Sequence, residues 1–423
     1  MSKEHFLKIA GNFFGAAVTG VLLGLILTLP LYGIFSNNAD TETTLPQVAL
    51  APTAPQTPQF DAVTNVSNTE SGNATQVSAG AGHTVAIDTS GVLWSWGSNY
   101  YGQLGDGTTT DSHSPVQIME NVASVSAGRY YTMAIDTNGT LWGWGLNDNG
   151  RLGDGTTENR HIPTQIMENI AYVSAGTSHT MAIDTNGTLW GWGANFFGTL
   201  GVSGMISPSH IPIQVMENIA AVSAGGLHTM AIDTNGTLWS WGWNRFGQLG
   251  DGTEMEQFST RNTPVEVMSN IVAVSAGVHH TMAIDTNGTL WGWGRSGAGR
   301  LGAAEIRDDQ NTPIRIMENI TAVSAGEGNT MAIDTNGTLW GWGRNIRGQL
   351  GNGTTTGIPG GQLHIEILEN VAHVFVGREH TTGGASHILA VDNNGVLWAW
   401  GSNYYGQLGD GTTTDHLTPV PIM

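Results

Sequence analysis

Five histidines, His83, His179, His228, His280 and His387, occupy equivalent positions in copies of one recurring phrase. Imidazole is a common metal ligand, so such a set raises a metal ring. Equivalent points on a ring lie whole repeats apart, too far for several to reach one ion at about 2 Å. Tyr131 and Asn329 fill the same slot in two further copies. The histidines are therefore expected to hydrogen-bond backbone groups between strands or repeats, with no metal and no cofactor. The recurrent run Asp136-Thr-Asn-Gly-Thr140 lacks the alternating acids and closing Glu of a calcium loop and reads as a hairpin turn. Its Asn-Gly-Thr triplets, at Asn138, Asn186, Asn235, Asn287 and Asn336, also match the glycosylation acceptor pattern. The chain has no cysteine, and no nucleophile, base and orienting group are unique to one copy, so it does not read as an enzyme.

Chemistry that is not shared between copies lies elsewhere. After each Trp-Gly the sequence diverges into Tyr100-Tyr101, Asn147-Asp148-Asn149, Phe196-Phe197, Trp243 with Arg245 and Phe246, Arg295, Arg344 with Arg347, and Tyr404-Tyr405. A second divergent zone holds Arg129-Tyr130, Leu227, Val278-His279 and Glu327. Aromatics and arginine are enriched at the centres of protein interfaces, and aromatic faces also stack on sugar rings. Tyr100, Tyr101, Phe196, Phe197, Trp243, Arg245, Phe246, Tyr404 and Tyr405 are the candidate binding residues. The four tyrosines are expected to be contiguous, and the other aromatics to form a second cluster.

A repeated scaffold must position them. Leu-Trp-x-Trp-Gly recurs with its leading tryptophan at Trp94, Trp142, Trp190, Trp239, Trp291, Trp340 and Trp398, a spacing suited to propeller blades. Each copy holds short apolar runs bounded by Gly, Asn and Pro, which read as four strands. Asn-Gly between two runs predicts a type I′ hairpin, because both residues tolerate positive φ. The paired tryptophans are two apart and so share a strand face, from which they can fill the space between blades. The phrase Pro-x-Gln-Ile-Met, as at 163–167, precedes a copy's first segment, and its counterpart Pro419-Val-Pro-Ile-Met423 ends the chain where a further copy would continue with the phrase found at 73–80. The fold class is therefore all-β, a seven-bladed propeller over residues 73–423, expected to close by a blade built from N- and C-terminal strands.

Val-Ser-Ala-Gly-x-x-His-Thr, Leu-Trp-x-Trp-Gly and Gly-Gln-Leu-Gly-Asp-Gly-Thr (102–108, 247–253, 406–412) together resemble the regulator of chromosome condensation repeat family. The resemblance implies the seven-bladed ring. It also implies regulator activities: guanine nucleotide exchange on a small GTPase, or the inhibition of β-lactamases shown by a secreted bacterial relative.

Charge and the N-terminal segment bear on the partner. There are 34 acidic residues against 14 basic, and Lys3 and Lys8 are the only lysines. An anionic body repels phosphate backbones, so no nucleic-acid partner is expected. Residues 13–35 carry no charge and are long enough to cross a bilayer as a helix. With lysines before and Asp40 and Glu42 after this span, the positive-inside rule puts residues 1–12 in the cytoplasm. Residues 36–72, rich in Pro and Thr, read as a disordered linker. The expectation is a monomeric, single-pass membrane protein whose extracytoplasmic propeller binds a protein or cell-envelope glycan.

Overall fold

The computed structural model describes residues 73–423 apart from 206, 304, 305, 307, 358–363 and 378–385. The segments expected to anchor and tether the chain, 13–35 and 36–72, lie outside the described residues. Among the described residues no helix is long and apolar enough to cross a membrane.

Seven antiparallel sheets of four strands follow one another along the chain, each in plain sequence order. Blade 1 comprises Ala74–Ala79, His83–Asp88, Leu93–Gly97 and Ser112–Met119. First strands face the narrow central channel, where Gln76, Ser78, Ser124, Ser126, Tyr172, Ser174 and Phe375 meet. Fourth strands form the outer rim and alternate between half-buried and exposed, whereas second strands are buried almost throughout. Burial on both sides explains the continuous apolar character of His-Thr-Met-Ala-Ile, and one-sided burial explains the alternation in the rim strand.

The hairpin between the second and third strands differs from the type I′ expectation. Gly139 has φ of 79°, but Asn138 is not among the positive-φ residues. The amide of Gly139 donates to the Asp136 carbonyl (3.0 Å), giving a three-residue loop that ends in a left-handed glycine. Asp136 is the reason. Its Oδ1 accepts the amides of Asn138 (2.9 Å) and Thr140 (3.0 Å), which curls the first two loop residues into right-handed turn geometry. Its Oδ2 accepts the Trp142 indole N–H (3.1 Å). Burial raises the Asp136 carboxyl, but the hydrogen bonds from Thr140, Trp142 and Asn138 outweigh it and hold the group below its ordinary value.

The tryptophan pair does project from one face, with unequal duties. The second member, such as Trp96, Trp144 or Trp293, is fully buried. In each case its indole N–H crosses to the preceding blade, as from Trp144 to the Gln103 carbonyl (3.0 Å). The first member is half-buried and bonds to its own blade's aspartate, as Trp291 does to Asp285 (3.0 Å). Both rings belong to one cluster with residues of the preceding blade, for example Met230, Ile232 and Leu238 against Trp291 and Trp293.

Six of the seven seams add a threonine hydroxyl to this pattern. The Gln103 carbonyl also accepts the Thr132 hydroxyl (2.9 Å), and the Thr132 oxygen meets His83 Nε2 (3.0 Å). A hydroxyl that donates to a carbonyl can only accept from the ring, so His83 is protonated on Nε2. Ser126 accepts the Ala175 amide of the next blade (3.0 Å), and the Ile170 amide donates to the Gly139 carbonyl (2.9 Å).

Closure departs from the expected shared blade. Blade 7 takes all its strands, Val371–Val376, His387–Asp392, Leu397–Gly401 and His416–Pro421, from its own stretch of chain. The Pro-x-Gln-Ile-Met phrase is the outer strand of the copy before it, pairing Gln117 with Trp94 and Met119 with Leu93. The blade that opens at Ala74 is therefore already complete. The ends meet through an ordinary seam: Trp96 Nε1 (3.0 Å) and Thr84 (2.7 Å) donate to the Gln407 carbonyl, and His387 Nε2 meets Thr84 (2.8 Å). The Ala74 amide reaches the Gly395 carbonyl (3.1 Å) and that of Gly411 the His113 carbonyl (3.0 Å). Gly409 lies so close to Trp96 that a Cβ there would stand 2.6 Å from the indole nitrogen.

Two predictions follow from this construction. Trp192→Ala should lower stability in urea by about 3–5 kcal/mol, while Trp190→Phe, which loses one hydrogen bond to Asp184, should cost about 1 kcal/mol. Thr84→Val, at the junction of the two ends, should shift the unfolding midpoint as much as Thr132→Val at an interior seam. A much larger loss at Thr84 would show that closure depends on something other than the common seam.

Candidate functional site on the loop face

The loops joining third to fourth strands, and the short links joining first to second, emerge on one face of the ring. Six of the seven long loops are built around one buried asparagine, and that of blade 5 has the buried Ser296 in its place. Asn99 Oδ1 accepts the Leu104 amide (2.9 Å), and its Nδ2 donates to Asp106 (3.0 Å) and the Thr108 carbonyl (3.2 Å). Asn147, Asn244, Asn345 and Asn403 make the matching bond to the amide five residues on. Gln103 Oε1 then accepts the Tyr101 amide (2.9 Å), as Gln248 accepts that of Phe246 and Gln407 that of Tyr405. The repeated residues thus build the loop, leaving the pair between Asn99 and Gly102 free to vary.

Tyr100 and Tyr101 meet edge to face at 4.8 Å, and Tyr101 lies 5.3 Å from Tyr130 of blade 2. Arg129 stacks on Tyr130 at 4.9 Å. From blade 7, Tyr405 lies against Gly82, where a Cβ would come within 2.9 Å of its ring. Tyr100, Tyr101, Tyr130 and Tyr405, with Ser98 and Asp111, line a cleft of about 380 Å³. Tyr404 packs on Tyr405 at 4.8 Å but does not line the cleft, and it is 73% exposed. Tyr100, at 75%, projects both into the cleft and into solvent.

A second cluster spans blades 3 to 5. Trp243 lies 5.6 Å from both Phe197 and Phe246, and His279 closes on Phe246 at 5.1 Å. Arg245 and Arg295 both stack on Phe246, at 5.3 and 4.8 Å. Phe196 turns away, 61% exposed and without a ring contact in this cluster. Among residues outside the nine candidates, Tyr130, His279 and Arg295 join these clusters, and Phe258 is 78% exposed in a loop of blade 4. The divergence between copies flagged the first three. Phe258 lies in an insertion with no counterpart to compare.

The histidine ring is structural, and its partners include threonine hydroxyls of the next blade: His179 meets Thr229, His228 meets Thr281 and His280 meets Thr330 (2.9–3.0 Å). Tyr131 in the same slot reaches Thr180 (3.0 Å). At the seam from blade 6 to blade 7 the slot holds Asn329, and Ile388 stands where a threonine would be. Burial pushes the His83 imidazole down to about 3, and burial together with the charge of His83 does the same to His387.

A sequence profile of the RCC1-like domain matches residues 204–423, more than half of the chain, and profiles of the regulator of chromosome condensation (RCC1) repeat match 90–135 and 138–183. The chain belongs to the RCC1-like family. Among its RCC1-like relatives, the ultraviolet-B receptor UVR8 of Arabidopsis thaliana is 32% identical over 152 residues, 36% of this chain and 34% of the receptor. The human E3 ubiquitin-protein ligase HERC2 is 46% identical over 44 residues, 10% of this chain and 1% of the ligase. The chain thus spans about a third of the receptor and a small fraction of the ligase. The RCC1-like propeller superimposes on human WBSCR16 with a TM-score of 0.69, at 21% identity, over 78% of this chain and 94% of that one. Prp20p of Saccharomyces cerevisiae gives a TM-score of 0.65, also at 21% identity, over 72% and 80%. Likeness at this identity establishes the shared fold.

His83 and His387 set a pH dependence. Their folded pKa lies below the ordinary value of 6.5, so between about pH 3 and 6.5 the unfolded chain binds more protons. This stabilisation is complete above pH 6.5 and is lost as pH falls toward 3. The unfolding midpoint should therefore drop between pH 7 and pH 4, and His83→Asn, which borrows the side chain used at Asn329, should make that drop smaller. An unchanged pH profile in the variant would show that His83 does not carry it.

Proposed function

We propose that this RCC1-like chain is a non-catalytic binding scaffold, held to a membrane by residues 13–35, whose propeller engages a protein or cell-envelope glycan outside the membrane. One observation carries the reading: the side chains that differ between blades are aromatics and arginines gathered on one face, with Tyr100, Phe196 and Tyr404 more than 60% exposed. Exposed aromatics of this kind are the anchors that become hot spots when a partner buries them. The hairpin face offers only short turns, with Glu120, Glu168, Glu217 and Glu318 exposed between blades.

A regulator role is the second reading, favoured by the family. Prp20p binds Gsp1p and histones, and a chain with that kind of activity would engage a protein partner too. The side of the membrane separates the two, since a body outside cannot meet a cytoplasmic GTPase. Protease added to intact cells should digest the propeller; digestion only after lysis would favour the regulator.

Site-specific photo-crosslinking tests the face itself. A photoreactive phenylalanine at position 100, 196 or 404 should give adducts in cells, and the same group at 168 or 217 should give none. Tyr100→Ala should abolish adducts from position 404 while leaving the melting temperature unchanged. Adducts confined to the hairpin face would reject the loop-face site.

A further inference from the structure

We infer that the cluster around Phe246 is a subsite for carboxylate side chains, so that the partner presents an acidic, aromatic-bearing peptide segment there. The inference rests on the reading of the loop face as a binding surface and specifies what one part of it takes.

The chain is strongly anionic, and its arginines mostly have acids beside them. Arg160 pairs with Asp154, Arg261 with Asp251, Arg344 with Glu327 and Arg347 with Asp415, and Arg151 and Arg315 have Asp148 and Glu318. Arg129, on Tyr130, departs from this singly, and Arg245 and Arg295 depart from it together. Among the described residues neither guanidinium has a carboxylate or a hydrogen-bond acceptor, and both instead lie on the ring of Phe246. In a protein with an excess of acids, two cations from neighbouring blades converging on one neutral ring leave positive charge unspent. A guanidinium stacked by its face keeps its N–H edge available, and that edge matches a carboxylate in bidentate geometry.

The surroundings reinforce the charge. Arg300 is buried beneath the loops, donating to the Gly297 (2.7 Å) and Glu327 (3.0 Å) carbonyls. Burial is the main cause that pushes its guanidinium down to about 10; repulsion from Arg295 and Arg344 adds to this, and the charges of Glu327 and Asp309 oppose it. Glu327 is committed to Arg344 (3.3 Å) and does not reach Arg245 or Arg295.

Trp243, Phe197 and His279 extend Phe246 into an aromatic floor across three blades. A bare inorganic anion would leave that floor uncovered, and a polyanion would meet the repulsion of the remaining body. A peptide that places carboxylates on Arg245 and Arg295 and an aromatic side chain on Trp243 satisfies both halves of the site.

The test uses the full-length chain in detergent and a fluorescein-labelled Glu-Asp-Phe-Glu-Asp-Phe peptide, read by anisotropy beside its Gln-Asn-Phe-Gln-Asn-Phe counterpart. The acidic peptide should bind at least about tenfold more tightly than the amide, and less tightly as NaCl is raised. Arg245→Gln combined with Arg295→Gln should erase the difference. Arg295→Lys, which keeps the charge and loses the fork, should weaken binding by less than Arg295→Gln. Equal binding of the two peptides, an unaffected double variant of unchanged melting temperature, or tighter binding of a phosphoserine version would overturn the assignment. Loop-face photo-adducts that survive the double substitution would sink this subsite alone and leave the scaffold reading standing.

Discussion

One backbone carbonyl per blade holds the ring together. In each seam the residue equivalent to Gln103 accepts an indole N–H and, at six of the seven, a threonine hydroxyl from the next blade. Sheets have no hydrogen bonds to spare for a neighbour stacked on their faces, so blade packing would otherwise rest on undirected apolar contact. The shared acceptor adds direction and register. It also explains why the second tryptophan is buried at every seam while the first serves its own hairpin.

The fold was legible because it is written seven times. Period, strand boundaries, the common face of the tryptophans and the structural role of the histidines all follow from comparing copies. What escaped was fixed by interactions that a linear reading weighs wrongly. Asn-Gly suggested a mirror-image turn, but Asp136 two residues earlier supplies acceptors that select a different one. The rim strand was attached to the wrong copy because only the pairing of Gln117 with Trp94 assigns it. The threonine partners of the histidines lie about fifty residues away, and only in the folded ring do they become neighbours.

The candidate site was legible to a different degree. Divergence between copies located the loops, and ring order correctly brought Tyr405 beside Tyr100 and Trp243 beside Phe197. It did not separate side chains that pack from those that project, because within each aromatic pair one ring lies down on the loop and the other stands up. Nor did it reveal that Arg245 and Arg295, fifty residues apart in the chain and on neighbouring blades, share a ring.

The loop construction sets how such a surface can change. The asparagine at the start of each loop, replaced by Ser296 in blade 5, and the carbonyl that anchors the next blade bracket the variable pair, so the part that meets a partner is insulated from the part that bears the architecture. Blades 5 and 7 can differ in charge and aromaticity without either seam noticing. A determinant is then defined by its angular address on the dial, and moving it from one blade to the next rotates a recognition pattern by one-seventh of a turn while the scaffold stays the same.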